Sequence, residues 1–280
     1  THPPRRSYLV TPQSFSLISP AVLKVTDESW RNSDGTRARG WLLRGTEGAP
    51  AVVFLHRYGA DRSWLFNLGV KLNEAANFTI LWPDLRGHGL NPPVRYTTFG
   101  SKESNDVLSA LEFLRTVKVE SGNRLIGNRL GLYGVELGGY AAMSAAPQDA
   151  EVRVLVLDSI PLGPDELLRA TVRESYGIDN ELFQYLAGAA TRLYLLGAYK
   201  NTPSCELAAA LKTQRVLLLS GGDAGYLRDA TITLERCFPS LSLETKTDLP
   251  LTGFRLPSAT GEQGEGYDRG VIEFFDRNLR

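Results

Sequence analysis

Short apolar segments that alternate with helical stretches constrain the fold of this chain more than any other feature of its sequence. Segments 51–55, 78–82 and 152–157 are almost wholly apolar, as is typical of strands buried on both faces of a sheet. Because helical patterns separate the strands, the connections predict right-handed crossovers and a mainly parallel sheet. The helical stretches lie at about 62–76, 101–118, 138–146, 203–211, 226–237 and 264–278, and further strands are predicted at 130–133, 215–219 and 241–246.

The beginning of the chain and one internal segment depart from this alternation. Residues 1–20 are rich in Pro, Ser and Arg and predict an extended N-terminal arm. Two strand patterns joined by Asp34-Gly35 follow the arm and predict a hairpin. Residues 163–200 are helical in pattern and predict an insertion over the sheet edge. After the arm, we therefore predict a single domain over 21–280.

Charge and hydropathy limit the classes of partner. The 280 residues carry 31 basic and 31 acidic side chains, so the formal net charge is zero. A nucleic-acid partner is excluded on this basis, because no basic surplus exists to neutralise phosphates. No apolar run reaches the length that spans a bilayer. The chain begins at Thr1 without a methionine, and we expect that an N-terminal signal or membrane anchor preceded it.

Cysteine spacing and glycine patterns predict neither a metal nor a cofactor. Cys205 and Cys237 are too few for a disulfide scaffold and lack the spacing of metal ligands. We predict two buried free thiols, with one disulfide as the alternative if the protein is extracytoplasmic. No cluster of His, Asp, Glu and Cys has ligand spacing. Dinucleotide-binding and phosphate-binding glycine loops are also absent from the sequence.

The segment LYGVELGGYAAM, residues 132–143, has the spacing of a nucleophile elbow. In that motif, Gly-x-Ser-x-Gly, a serine sits on a tight turn between a strand and a helix. Here Glu136 stands at the middle position, between Gly134 and Gly138. The sequence thus predicts the backbone of an elbow that carries a carboxylate in place of the nucleophilic hydroxyl.

Five motifs follow one another in the chain: SDGTRARGWLL (33–43), AVVFLHRYGADRS (51–63), PDLRGHG (83–89), GVELGG (134–139) and LLLSGGD (217–223). With these motifs in this order, residues 20–280 resemble the α/β-hydrolase superfamily, especially its bacterial serine-hydrolase and dipeptidyl-peptidase-like branch. The resemblance implies a twisted, mainly parallel sheet of about eight strands flanked by helices, with a small helical cap. Many relatives in this branch carry an N-terminal membrane helix, which implies an extracytoplasmic or membrane-tethered location.

The resemblance also implies a chain order of nucleophile, acid and base. Asp223 stands at the acid position. The base is expected within about 248–262, where no histidine occurs. We assign Phe254 to the base position, with a register tolerance of two or three residues. All three histidines precede the elbow: His2, His56 and His88.

Glu136 admits a catalytic and a structural interpretation. As a nucleophile it would resemble the aspartate of haloalkane dehalogenases and epoxide hydrolases, but a histidine would then have to activate the water that hydrolyses the covalent ester. We favour the structural interpretation, in which the carboxylate accepts hydrogen bonds from the oxyanion donors. These donors are the backbone amides of Tyr58 and Leu137, at a helix N-terminus that favours negative charge.

Other charged and titratable residues of the motifs receive structural interpretations. Arg57 is predicted to pair with Glu136, with anion binding or a plain surface position as alternatives. We interpret His56 and His88 as satisfied structural histidines. We predict that Asp223 caps or pairs locally. Asp84 and Arg86 of PDLRGHG are predicted to tie their own loop together.

Three functions remain open from the sequence, because fold alone does not supply an activity. We favour a catalytically inactive pseudoenzyme that binds protein partners, as a subunit of a membrane-associated complex, since both the attacking hydroxyl and the base are replaced. The first alternative is an active hydrolase of esters, thioesters or peptides in which Glu136 activates water. The second alternative is a small-molecule receptor, of unknown ligand, that uses the old pocket.

Overall fold

A single eight-stranded sheet with helices on both faces organises the chain. The computed structural model describes residues 1–4, 7–16, 24–90, 92–177, 180–239, 243–255 and 262–280. The strands are β1 (Val25–Arg31), β2 (Arg37–Leu43), β3 (Ala49–Leu55), β4 (Thr79–Pro83), β5 (Ile126–Val135), β6 (Val152–Asp158), β7 (Arg215–Gly221) and β8 (Leu243–Leu249). The helices are α1 (Pro12–Ser16), α2 (Phe66–Ala76), α3 (Glu103–Thr116), α4 (Leu137–Ala145), α5 (Pro164–Tyr176), α6 (Glu181–Tyr194), α7 (Ser204–Ala210), α8 (Tyr226–Glu235) and α9 (Glu262–Leu279).

The strand order in the sheet is β1-β2-β4-β3-β5-β6-β7-β8. Strand β2 pairs antiparallel with β1 and β4, and all other neighbouring strands are parallel. The predicted fold class, a mainly parallel sheet of about eight strands flanked by helices, is confirmed. The parallel strands end at one edge of the sheet, so the loops that follow β3, β5, β6 and β7 meet there.

Strand β3 shows why the central strands are apolar throughout. Val52 and Phe54 pack into the core beneath α2 and α9, whereas Val53 and Leu55 pack into the core beneath α3 and α4. Successive side chains of a strand point to opposite faces of the sheet. Because helices cover both faces, an apolar side chain is favoured at every position of the strand.

Three element boundaries differ from the sequence prediction. Strand β5 begins at Ile126, four residues before the expected 130. The helix expected from residue 62 starts as a 3-10 turn, Arg62–Leu65, because the Asp61 side chain caps that turn by accepting the Ser63 amide at 2.9 Å. The strand expected over 241–246 lies partly outside the described residues, and β8 continues beyond it.

The described part of the N-terminal segment lies against the domain. The Tyr8 hydroxyl donates a hydrogen bond to Asp84 at 2.9 Å. The segment is not wholly extended, since α1 forms within it, and the ring of Phe15 meets the edge of the Phe66 ring at a centroid distance of 5.3 Å. Two stretches of the predicted arm, 5–6 and 17–20, lie outside the described residues.

Helices α5 and α6 form the helical insertion expected at 163–200. They are joined by an ion pair in which Arg192 of α6 lies 2.6 Å from Asp165 of α5. In the described ranges, no helix combines the length and the apolar character that crossing a bilayer requires.

Cys205 and Cys237 form a disulfide, so the prediction of two buried free thiols is wrong. Cys205 lies in α7 and Cys237 follows α8, with Cα atoms 5.1 Å apart, a separation that suits a disulfide. The two cysteines are 32 residues apart in sequence, and only the packing of α7 beside α8 brings them together. The cross-link therefore joins two helices on the same side of the sheet.

Candidate functional site

The elbow lies between β5 and α4, and its backbone adopts an uncommon conformation. Glu136 has φ 50° and ψ −107°, a region in which a non-glycine residue costs on the order of 1–3 kcal/mol. Gly138 allows close packing here, because a Cβ at this position would lie 2.2 Å from the carbonyl oxygen of Leu55. A Cβ at Gly134 would likewise lie 2.5 Å from the amide nitrogen of Gly139. The packing of α4 against β3 and β5 therefore requires both glycines, whichever residue stands between them.

The carboxylate of Glu136 is bonded to one of the two backbone amides that would serve as oxyanion donors. The residue is 3% exposed, and its Oε2 accepts the amide of Tyr58 at 2.7 Å. The amide of Leu137 acts to lower the pKa of this carboxyl. A substrate oxyanion would therefore meet a Tyr58 donor that is already bonded, and a side chain whose charge has the same sign as its own.

Burial raises the pKa of Glu136 to about 7, because desolvation disfavours the ionised form. The positive field of Arg57 and the amides of Tyr58 and Leu137 lower the pKa, and the nearby Glu174 carboxylate raises it, but burial is the largest effect. The elbow side chain is therefore a mixture of carboxyl and carboxylate near neutral pH.

Replacing Glu136 with glutamine should change how stability depends on pH. The pKa is raised from 4.5 to about 7 in the folded chain. The raised pKa therefore makes the free energy of unfolding of the wild type depend on pH. The contribution of the Glu136 carboxyl is fully present below about pH 4.5, and on the order of 3 kcal/mol of it is lost as the pH rises to about 7. Glutamine does not ionise, so the free energy of unfolding of Glu136→Gln relative to wild type should increase by that amount over this range. Urea denaturation across the range measures it.

The matched control for this titration is Glu244→Gln on β8. Glu244 is exposed and pairs with Arg277 at 2.7 Å, an arrangement that contributes at most about 1 kcal/mol. Its replacement should change the free energy of unfolding by no more than this amount at any pH in the range. A Glu136→Gln difference that is constant with pH would show that the elbow carboxyl titrates normally.

Arg57 pairs with Glu174, and the predicted direct pair with Glu136 is not made. Among the described residues, the carboxylate oxygen within 4 Å of the Arg57 guanidinium is Oε2 of Glu174 on α5, at 3.7 Å. The guanidinium carbon also lies 4.6 Å from the ring centroid of Phe254 and 5.0 Å from that of Trp64, distances at which cation–π attraction operates. The two rings fix the direction of the Arg57 side chain and leave its end group facing α5.

Two carboxylates hold the loop in which the base was expected. Asp223, at the acid position, accepts the backbone amide of Thr252 at 2.9 Å and its hydroxyl at 3.1 Å. Asp158, the last residue of β6, accepts the amide of Gly253 at 2.6 Å. In a serine hydrolase the acid orients an imidazole, whereas here it binds the backbone and side chain of a threonine.

Phe254, assigned from the sequence to the base position, is buried with its ring against Arg57. The contact with Asp223 is made by Thr252, two residues earlier, which lies within the register tolerance of that assignment. Neither a phenyl ring nor a threonine hydroxyl takes up a proton near neutral pH. The loop therefore supplies no general base at either position.

His56 and His88 are fully hydrogen-bonded inside the protein. Nε2 of His56 accepts the Leu85 amide and Nε2 of His88 accepts the Gly59 amide, both at 3.1 Å. Each Nδ1 lies within 2.9 Å of a backbone carbonyl oxygen, so each ring is neutral with its proton on Nδ1. Burial lowers the pKa of His56 to about 4 and that of His88 to about 3. Both rings therefore hold loops in place, and neither is free to exchange a proton with a group at the elbow.

Three residues near the elbow were not singled out in the sequence. Burial raises the pKa of Asp158 to about 6, and its position at the end of an apolar strand was a usable signal. Glu174 lies in the insertion and Tyr226 begins α8. Neither residue belongs to a motif, so the sequence carried no signal for them. Burial and then the carboxylate of Glu136 raise the pKa of Tyr226, whose buried hydroxyl lacks a hydrogen-bond partner among the described residues.

The strand order, the elbow between β5 and α4, and the carboxylate after β7 define the α/β-hydrolase fold. Solved structures that resemble the chain include esterases and an α/β hydrolase of Penicillium sp.. The esterase Pf2001 of Pyrococcus furiosus has a TM-score of 0.72 at 20% identity and covers all of both chains. An esterase of Thermogutta terrifontis has a TM-score of 0.63 at 18% identity, over 91% of this chain and 100% of the other. These identities establish the fold alone.

Two curated proteins show similarity over part of their sequences. An uncharacterised 31.7 kDa protein from the traX-finO intergenic region of Escherichia coli is 25% identical over 153 residues, 55% of this chain and 51% of that protein. Thiohydrolase aneE of Aspergillus aculeatus is 29% identical over 142 residues, 50% of this chain and 41% of the enzyme. The chain thus spans about half the length of the curated relatives it matches. No protein-family model matches the chain.

Proposed function

We propose that this hydrolase-like chain is a catalytically silent pseudoenzyme that serves as a binding or assembly subunit. The proposal rests mainly on the buried Glu136 carboxylate, which occupies the elbow and accepts the Tyr58 amide. Serine hydrolases that lose their triad retain a rate roughly 10³–10⁴-fold above that in water, through the oxyanion hole and substrate binding. With the Tyr58 amide engaged internally and a carboxylate beside it, that residual contribution is also reduced.

Covalent catalysis by Glu136 itself is disfavoured by the surroundings of the elbow. An acyl or alkyl ester on this carboxylate would have to be hydrolysed by an activated water. His56 and His88 bond to backbone groups, and Thr252 and Phe254 occupy the base loop. An ester formed on Glu136 would therefore accumulate after one turnover.

Incubation with chromogenic short-chain esters and thioesters, and with a fluorophosphonate probe, tests the proposal. We expect neither turnover nor labelling for the wild type. Glu136→Ser should remain inactive too, because a hydroxyl without a base is not a nucleophile near neutral pH. Wild-type turnover that is lost in Glu136→Gln and kept in the matched variant Glu244→Gln would overturn the proposal.

One observation supports a second candidate, a hydrolase in which Glu136 acts as a general base. A pKa of about 7 suits a base that works near neutral pH. Glu136 would accept a proton from the attacking water, and the Tyr58 and Leu137 amides would donate hydrogen bonds to the substrate oxygen. The wild-type rate would then rise with pH through about 7 and vanish in Glu136→Gln. The ester and thioester assays above, run across pH 5–9, distinguish the two candidates.

The disulfide supports an extracytoplasmic location, which we propose together with a membrane tether. Disulfides persist in oxidising compartments and are rare in the cytosol, and Cys205–Cys237 joins two helices on the domain. Affinity capture of the protein from its own cells, under conditions that block thiol exchange, would test the location and the assembly role together. A cytosolic protein with reduced thiols would contradict the location.

A further inference from the structure

Helix α6 presents its large apolar side chains to solvent. Its buried residues are Gly188 and Thr191, and Arg192 turns toward Asp165 of α5. A surface helix ordinarily does the opposite, with its apolar stripe on the core. The outer face of α6, as we name it, consists of six side chains that are between 52 and 84% exposed: Leu182, Phe183, Tyr185, Leu186, Leu193 and Leu196.

We propose that the outer face of α6 binds the same face of a second copy of this chain, in an antiparallel helix pair about a two-fold axis. With the axis between Ala189 and Ala190, Leu186 of one copy meets Leu193 of the other. Large side chains therefore flank a centre of small ones, which lets two helices approach closely.

The spacing of the apolar residues agrees with helix pairing. Leu182, Leu186, Ala189 and Leu193 follow one another on α6 at intervals of four, three and four residues. This is the spacing of a coiled-coil seam, in which alternate intervals of three and four keep one line of side chains facing a partner helix. Leu196 follows the end of the helix with φ 41° and adds exposed apolar area beside the seam.

The area of the outer face suits a stable dimer. At a full area on the order of 200 Å² for each residue, the exposed fractions of the six residues amount to roughly 800 Å². A standard protein interface buries about 800 Å² per partner. Exposed apolar patches on monomers are usually smaller than this, at a few hundred Å².

The charge distribution favours a second copy over a lipid surface. Residues 182–191 contain no charged side chain, and the whole chain has a formal net charge of zero. Helices that lie on membranes carry Lys and Arg beside their apolar face to reach anionic lipids, whereas the one basic residue of α6, Arg192, is engaged with Asp165 of α5. Two uncharged, self-complementary faces meet without repulsion. The inference concerns α6 alone and stands whether or not the Glu136 site is active.

Sedimentation velocity from about 1 to about 100 µM tests the pairing, because dimers depend on protein concentration. We expect a species of twice the 30.8 kDa chain mass. Leu186→Glu/Leu193→Glu should be monomeric, since four carboxylates would meet across the axis. The matched control Leu90→Glu, an exposed leucine in a loop outside α6, should stay dimeric. A wild-type monomer throughout this range, or a charged double variant that still dimerises, would overturn the proposal.

A cysteine cross-link tests the orientation independently of any loss of folding. Ala190→Cys lies beside the proposed axis, so mild oxidation should link two copies in high yield. Thr233→Cys, an exposed position on α8, should link far less. Equal yields for the two variants, or a wild type that binds phosphatidylcholine vesicles as a monomer, would count against the antiparallel pair.

Discussion

Gly138→Ala should destabilise the protein by about 3 kcal/mol or more, because the added methyl group has no space. It would lie 2.2 Å from the carbonyl oxygen and 2.5 Å from the carbonyl carbon of Leu55, and 2.8 Å from the oxygen of His56. All three are backbone atoms at the end of β3, so no side-chain rotation relieves the clash. Helix α4 would have to move away from β3, and the Tyr58 amide would separate from Glu136.

Urea denaturation of Gly138→Ala beside Gly222→Ala measures this effect. Gly222 lies in the short turn after β7, and a Cβ there would have no neighbour within 4 Å. Its replacement should change stability by less than about 1 kcal/mol, in either direction. Similar losses of stability for both variants would mean that the elbow backbone shifts to accept the methyl group, which would contradict the clash with Leu55. If Gly138→Ala is recovered only as insoluble protein while Gly222→Ala is soluble, Gly138→Ala is still the more destabilising of the two, as predicted.

Arg86→Met should cost about 3–5 kcal/mol, because it leaves a buried carboxylate without its partner. The Arg86 side chain is 2% exposed, and its Nε lies 2.6 Å from Asp106 on α3 while its Nη2 contacts both Asp106 and Asp34. Burial raises the pKa of Asp106 to about 6 even with Arg86 present to lower it. Without the guanidinium, Asp106 must take up a proton or remain an unpaired charge.

A double-mutant cycle and a surface pair provide the controls for Arg86. Arg86→Met/Asp106→Leu should recover much of the loss, since an apolar pair of similar volume often replaces a buried ion pair at little cost. Arg277→Met breaks the exposed pair with Glu244 and should cost at most about 1 kcal/mol. Equal losses for Arg86→Met and Arg277→Met in urea denaturation would contradict the burial argument.

The Arg86 contacts also correct the interpretation of the PDLRGHG motif. The sequence predicted that Asp84 and Arg86 tie their own loop together. Instead Asp84 accepts from Tyr8 in the N-terminal segment and pairs with Arg62, while Arg86 reaches α3. The motif therefore connects the loop to four other parts of the fold: the N-terminal segment, the turn at Arg62, the hairpin at Asp34 and α3. Sequence spacing could not indicate this, because these partners lie 20 or more residues away.

The direction of the apolar stripe on α6 was also beyond sequence reasoning. The helical pattern of 163–200 was recognised from periodicity alone. Periodicity shows that one face of a helix is apolar, but it does not show whether that face packs on the domain or is exposed to solvent. In the structure, Gly188 and Thr191 face the domain and Arg192 pairs with Asp165 of α5, so Leu182, Leu186 and Leu193 face outward.

The sequence by itself determined the fold class and the absence of a histidine base after the elbow. Alternating apolar strands and helices favour a mainly parallel sheet, the glycines at 134 and 138 meet the steric demands of the elbow, and the lack of a histidine after His88 is a matter of composition. Only the tertiary structure decided what the Glu136 carboxylate binds. Arg57 was the expected partner, but the rings of Trp64 and Phe254 turn it toward α5, and the backbone amide of Tyr58 binds the carboxylate instead. The direction of a buried side chain depends on groups brought near by folding, and sequence neighbours do not specify them.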